Sequence, residues 1–362
     1  MKLRGIRERR ALGADRSCKR VVLHVGAPKA GSTFLQQLLW RNREVLGKHG
    51  IGYPLQEPME HFAATMDLRE MAWGGDRDPA WDGAWDRIAA RARAWSGHTV
   101  VISNELLGGA SPPQIARAVR SLQPAEVCVV FVARDFARQL PSDWQEQVKH
   151  THGITFEEFV DDLVANGLAA RAPYGPMFWG LHDPVHVLRP WAAVLGSRSV
   201  AVVTVPQAGA PRDTLWQRFA TALNVEVDVV GPDAAYGNPS LGAVEAELLR
   251  RTNERADRLQ PRKYREQLRA RLIEDVLHNA PGRRPIALPK RHLNWLDKRS
   301  AELINGLRDA GYLIIGDLTD LQPAPVSDDA VEPGRLGVSQ LLDAALHALA
   351  GLLVERVTQD EA

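Results

Sequence analysis

Cysteine pairs, long apolar runs and an excess of charge are all missing from this chain. Its 362 residues hold two cysteines, Cys18 and Cys128, too few for a disulfide framework. Cys128 lies inside an apolar run and reads as a small apolar filler in a reducing compartment. No run of eighteen apolar residues occurs, so no membrane span is expected. The opening segment MKLRGIRERRALGADRSCKR lacks the apolar core of a secretory signal, which predicts a cytoplasmic protein with a mobile basic arm over 1–19. Lys and Arg number 45 against 44 Asp and Glu, a formal charge of +1. That balance excludes a general nucleic-acid binder and leaves room for local basic patches around an anionic ligand. Neither C-x-x-C nor H-E-x-x-H is present, and His150 and His152 read as a polar loop, so no metal site is expected.

What is present is concentrated in VVLHVGAPKAGSTFLQ, Val21 to Gln36. Val21, Val22, Leu23 and Val25 predict a strand running into Gly26. A loop of small residues follows, and then Phe34, Leu35, Leu38 and Leu39 at helical spacing. A strand that ends in a glycine-bounded loop and opens a helix makes an anion cradle of backbone N–H groups. His24 lies within the strand, before the loop, and is expected to be a core histidine. Gly26 and Gly31 have the separation of the ATP-type loop G-x-x-x-x-G-K-[ST], and Thr33 supplies a hydroxyl. The residue after Gly31, however, is Ser32, and the lysine is Lys29, on the loop arch.

Two more strands end in charged residues. EVCVVFVA, Glu126 to Ala133, is a near-continuous apolar run, as expected for a strand buried on both faces, and it is followed by Arg134. Pro141 is expected to open the next helix, which would put Ser142 in its first turn, where anions are favoured. TVVISNE, Thr99 to Glu105, predicts a short strand whose last residue is acidic. Ligands of open parallel sheets bind at the carboxyl ends of strands, so Glu105 is expected to point toward the cradle.

Pro28-Lys29-Ala30-Gly31-Ser32-Thr33 resembles the P-K-x-G-S/T-T loop of sulfotransferases that use 3′-phosphoadenosine 5′-phosphosulfate (PAPS). The resemblance spans roughly residues 20 to 320, with its specific part in 21–36, 99–105 and 126–149. It implies a P-loop NTPase-like α/β fold, an open parallel sheet flanked by helices, with helical insertions and a C-terminal helical extension. It also implies that Lys29, Ala30, Gly31, Ser32 and Thr33 hold the 5′-phosphosulfate. Arg134 and Ser142 match the arginine and serine, eight positions apart, that clamp the 3′-phosphate in that family. By resemblance to carbohydrate sulfotransferases, Glu105 is the candidate base and Lys29 stabilises the leaving phosphate. The expected reaction is in-line sulfuryl transfer to a hydroxyl or amine of a carbohydrate or small-molecule metabolite, releasing 3′,5′-adenosine bisphosphate (PAP). Two other readings stay open. One is an ATP-dependent phosphotransferase with Glu105 or Asp135 holding Mg²⁺, and the other is a PAP- or PAPS-binding protein without turnover.

The remainder is mostly helical. Gly50-Ile51-Gly52-Tyr53-Pro54 predicts a return toward the sheet. Trp81 and Trp85, one helical turn apart, suggest core packing or an aromatic wall for an acceptor. RSVAVVTV, 198–205, predicts a strand, with a helix from about Arg212 to Leu223. Ser240 reads as the N-cap of a helix through Leu259. The basic cluster Arg283, Arg284, Lys290 and Arg291 is a candidate cover for a nucleotide. The expected organisation is an α/β domain over 20–321, a Pro-rich acidic linker over 322–337 and an amphipathic helix over 338–362. Val338, Leu341, Leu342, Ala345, Leu349, Leu352 and Leu353 form one face of that helix, expected to pack on the body or on a second subunit.

Overall fold

The computed structural model of the chain describes residues 18–72, 77–225, 240–255, 268–325 and 327–360. The expected arm over 1–19 lies outside them except at its last two positions. Residues 256–259, the end of the helix expected through Leu259, also lie outside.

Six strands form one parallel sheet in the order β2-β3-β1-β4-β5-β6. They are β1 (Arg20–His24), β2 (Ile51–Gly52), β3 (Thr99–Ser103), β4 (Glu126–Ala133), β5 (Val200–Thr204) and β6 (Leu313–Ile315). β1 runs between β3 and β4, with His24 opposite Ser103 on one side and Val130 on the other. Every residue of β1, β3 and β5 is buried, as are Val127 to Ala133 of β4. This is why these segments read as unbroken apolar runs rather than alternating ones: helices cover both faces of a parallel sheet. The chain winds to one side of β1 through β2 and β3, then crosses to the other with β4, β5 and β6. The order therefore reverses at β1, where open α/β sheets bind ligands. The fold class is an α/β open parallel sheet flanked by helices.

The helices are α1 (Ser32–Arg41), α2 (Arg43–Lys48), α3 (Glu60–Arg69), α4 (Ala84–Ala94), α5 (Pro112–Ser121), α6 (Phe136–Lys149) and α7 (Phe156–Asn166), followed by α8 (Tyr174–His182), α9 (Pro184–Leu195), α10 (Thr214–Leu223), α11 (Ala243–Arg255), α12 (Leu293–Asp309) and α13 (Val338–Asp360). The chain divides into two compact units. The first comprises Met1–Asp135, Pro176–Gly237 and Arg299–Gln322 and contains the whole sheet. The second comprises Phe136–Gly175, Asn238–Lys298 and Pro323–Ala362. No helix among the described residues is long and apolar enough to cross a membrane.

In the second unit, Phe136, Leu140, Trp144 and Val148 recur every four residues on α6 and are all buried. Trp144 donates to the Ile154 carbonyl (2.9 Å) and packs on Phe156. That stripe begins at Phe136, so the helix starts there, and Pro141 lies inside α6 rather than at its first position. The expectation for Ser142 is corrected accordingly. It sits in the second turn, half-buried, because burying the apolar stripe outweighs the one backbone bond that an interior proline forgoes.

Three further expectations change in this unit. Ser240 is not an N-cap, since α11 begins at Ala243, and its carbonyl instead accepts from Arg283 (3.0 Å). The remaining arginines of the basic cluster also serve the unit itself, Arg284 on the Asp329 carbonyl (2.8 Å) and Arg291 on both oxygens of Asp161 (2.7 and 2.8 Å). The proline-rich segment is not a bare connector: Ala287 donates to the Val331 carbonyl and Val331 to that of Pro285, both at 2.9 Å. On α13, Leu341 and Ala348 are buried, whereas Val338, Leu342, Leu346, Leu349 and Leu353 are exposed.

Candidate functional site

The loop after β1 is fastened to β4 before it turns away. Val25 N–H donates to the Val130 carbonyl (3.0 Å), Val132 to Gly26 (2.6 Å) and Ala27 to Val132 (2.9 Å). Gly26 has φ +154°, and a Cβ on it would lie 2.5 Å from Cε2 of the fully buried Phe131. No other residue type fits there without displacing the sheet's central ring. Lys29 itself has φ 58°, an uncommon backbone conformation for a residue with a side chain and one found at sites where the surroundings hold it. Arg134, the residue after β4, supplies part of that hold: its Nη1 donates to the Lys29 carbonyl (2.8 Å).

Gly31, at φ 94°, turns the loop into α1. Among the described residues no side chain caps this helix, and its first turn carries no acidic residue. Its first amides and the positive end of its dipole therefore keep their capacity for an anion. Ala30 and Ser32 are buried, Lys29 is half-buried and the Thr33 side chain is exposed.

Glu105 corrects its expectation in detail. β3 ends at Ser103, and Glu105 opens a short 3₁₀ turn, Glu105–Gly109. The strand stops because Asn104 caps that turn, its side chain accepting from Leu106 N–H (3.1 Å) while its own N–H reaches the His24 carbonyl (3.1 Å). Arg69 of α3 fixes the turn from outside by donating to the Leu106 carbonyl (2.8 Å) and lying against Gly109. Burial lowers the Arg69 guanidinium to about 10. The half-buried Glu105 carboxylate accepts from Gln36 of α1 (3.1 Å). Burial raises the nearby Tyr53 phenol, and the charge of Glu105 raises it further.

His24 is fully buried, as its position in the strand suggested, and burial lowers it to about 4. His61 of α3, whose Nδ1 accepts from Ser103 N–H (3.3 Å), is lowered to about 3 for the same reason. Both are neutral at ordinary pH. An apolar group begins at Leu106, next to Glu105 in the chain: Met66, Leu106 and Leu181 are buried, with Phe62, Met71, Trp81 and Met177 packed on them and partly exposed. Trp81 and Trp85 do not share a helix. Trp81 closes the turn Pro79–Trp81 edge-on to Phe62, while Trp85 is buried in α4 and donates to Ser121 Oγ (2.9 Å).

The first unit thus brings together the loop with Lys29, Ala30, Gly31, Ser32 and Thr33, Arg134 on that loop, and Glu105 tied to α1. Ser142 belongs to the second unit. Gln36 and Arg69 carry no motif and were not anticipated from the sequence. No family model, curated protein or solved structure matches this chain.

Proposed function

We propose that the chain is a PAPS-dependent sulfotransferase acting on a hydroxyl or amine of a small-molecule or carbohydrate acceptor. The observation that carries this reading is the union of a lysine-bearing, uncapped anion loop with Arg134 on one side and Glu105 on the other, at the ends of three adjacent strands. The position of the lysine separates it from the ATP reading. Ser32 stands where the ATP-type loop has its lysine, and Lys29 lies instead on the arch that Arg134 braces.

PAPS supplies an activated sulfuryl group when bound. The amides of 29–33 and Lys29 hold its 5′-phosphosulfate, and Lys29 neutralises the charge that develops on the departing phosphate oxygen. Arg134 holds the 3′-phosphate with its planar donor fork. Glu105 takes the acceptor's proton as the new S–O or S–N bond forms and the bond to the phosphate oxygen breaks. The apolar surface that begins at Leu106 favours acceptors with an apolar face.

The test is release of PAP from PAPS in the presence of an acceptor panel, 1-naphthol and glucosamine included, with and without Mg²⁺. Glu105→Gln is expected to keep PAP binding and lose turnover by at least about a hundredfold. ATP consumption with an absolute Mg²⁺ requirement would replace this reading with the phosphotransferase, and PAP binding without transfer to any acceptor would favour the binding protein.

A further inference from the structure

Glu105 is held by more than its own turn. Gln36 lies one helical turn into α1, and its Nε2 faces three acceptors: Glu105 Oε2 at 3.1 Å, Ser103 Oγ at 3.3 Å and the Ser103 carbonyl at 3.4 Å. Ser103 Oγ, already an acceptor from Gln36, also shares a hydrogen bond with His24 Nδ1 at 2.8 Å. Burial keeps the His24 ring neutral. The bonds run Glu105–Gln36–Ser103–His24 and link α1, β3 and β1, the elements whose ends form the site. Among the described residues, Gln36 is the hydrogen-bond donor that the Glu105 carboxylate has.

We propose that Gln36 is the positioning residue for Glu105, fixing its carboxylate toward the acceptor, with Ser103 and His24 fixing the Gln36 amide in turn. This inference rests on the reading of Glu105 as the base. One helix then does two tasks: the N-terminus of α1 receives the anionic donor, and its second turn aims the group that activates the acceptor. Among the described residues, these other groups lie around this carboxylate and its turn. Tyr53, after β2, has its phenol raised by burial and by Glu105, so it is neutral. His61 from α3 is neutral by burial and is engaged by Ser103 N–H and the Tyr53 ring. Arg69, also from α3, is cationic but spends a donor on the Leu106 carbonyl. From α9 the neighbour is the uncharged Val187, against Gly108.

A hydrogen bond to a charged carboxylate stabilises that form, so removing the donor moves its protonation to higher pH. Gln36→Leu is expected to lower kcat by about tenfold or more with KM for PAPS within about twofold, because the donor site is untouched and only the aim is lost. The acid limb of its kcat–pH profile moves up. Gln36→Glu sets a second carboxylate against the first and moves the limb further, with activity recovering at high pH. A merely structural role for Gln36 would lower stability and leave the limb in place. The same shift is read without turnover by ¹³C titration of the Glu105 carboxyl carbon, identified by its loss in Glu105→Gln. An unmoved midpoint in Gln36→Leu overturns the proposal. Full turnover in Glu105→Gln overturns the base assignment instead, so the two failures are distinct.

Discussion

Gly26→Ala tests the geometry of the loop without reference to any ligand. At φ +154° a side chain meets its own backbone, a conformation close to glycine-only, which costs about 1–3 kcal/mol. The added Cβ would also lie 2.5, 2.9 and 3.3 Å from Cε2, Cδ2 and Cζ of Phe131. Phe131 is fully buried in β4, itself paired on both sides by β1 and β5, so the ring has nowhere to swing. Overpacking of this kind costs about 1–3 kcal/mol. Together the terms give about 2–6 kcal/mol, a large part of an ordinary domain stability of about 5–15 kcal/mol. Urea unfolding of Gly26→Ala, Phe131→Leu and the double variant separates the two terms. The smaller side chain should recover the overlap, a coupling of about 1–3 kcal/mol, and leave the backbone cost in place. A Gly26→Ala protein within about 0.5 kcal/mol of the parent would mean that neither the backbone strain nor the overlap with Phe131 is present.

Arg134→Ala removes both the brace on the Lys29 carbonyl and the proposed phosphate contact, so PAP affinity should fall by about 1.5–3 kcal/mol, roughly 10- to 150-fold by calorimetry. Arg134→Lys should not restore it, because a compact ammonium lacks the planar fork that spans both acceptors, and a loss below about threefold in Arg134→Ala would contradict the role. His24 and His61, lowered by burial to about 4 and about 3, stay neutral in the native state while the unfolded chain protonates near pH 6.5. Their contribution is complete above pH 6.5 and declines as pH falls toward 4 and then 3, by about 3 kcal/mol for His24. Unfolding measured at pH 7.5, 6 and 5 should therefore show falling stability, with a shallower slope once either histidine is replaced by Asn. On α13, Leu341→Ala should cost about 2–3 kcal/mol and Leu342→Ala less than about 0.5 kcal/mol, since the first is buried and the second is exposed.

The parts of this fold that the sequence disclosed are those in which burial leaves a continuous mark. β1, β3, β4 and β5 are apolar runs because both faces of the sheet are covered, and the bounds of β4 were readable to the residue. The loop was readable because glycine is forced at Gly26 and Gly31 by positive φ and close neighbours. What could not be read depends on register and on neighbours distant in the chain. Nothing local relates Gln36 to Glu105, 69 residues on, until His24 is known to lie opposite Ser103. Arg69 likewise meets Leu106 only through the packing of α3 on the 3₁₀ turn. On α13 apolar residues surround the helix, with Leu341 and Ala348 inside and Leu342, Leu346, Leu349 and Leu353 outside, so periodicity alone did not choose the buried face. Pro141 misled for a related reason: the rule that places proline at a helix start is weaker than a four-residue apolar stripe beginning before it.

Whether this loop receives a 3′-phosphorylated adenine nucleotide is decided by calorimetric titration of the full chain with PAP beside ATP and Mg²⁺. Tight binding of PAP, weakened in both Lys29→Ala and Arg134→Ala, is expected, with no measurable heat from ATP and Mg²⁺. Binding of ATP with Mg²⁺ in preference to PAP, or PAP binding unaffected by both substitutions, would contradict it.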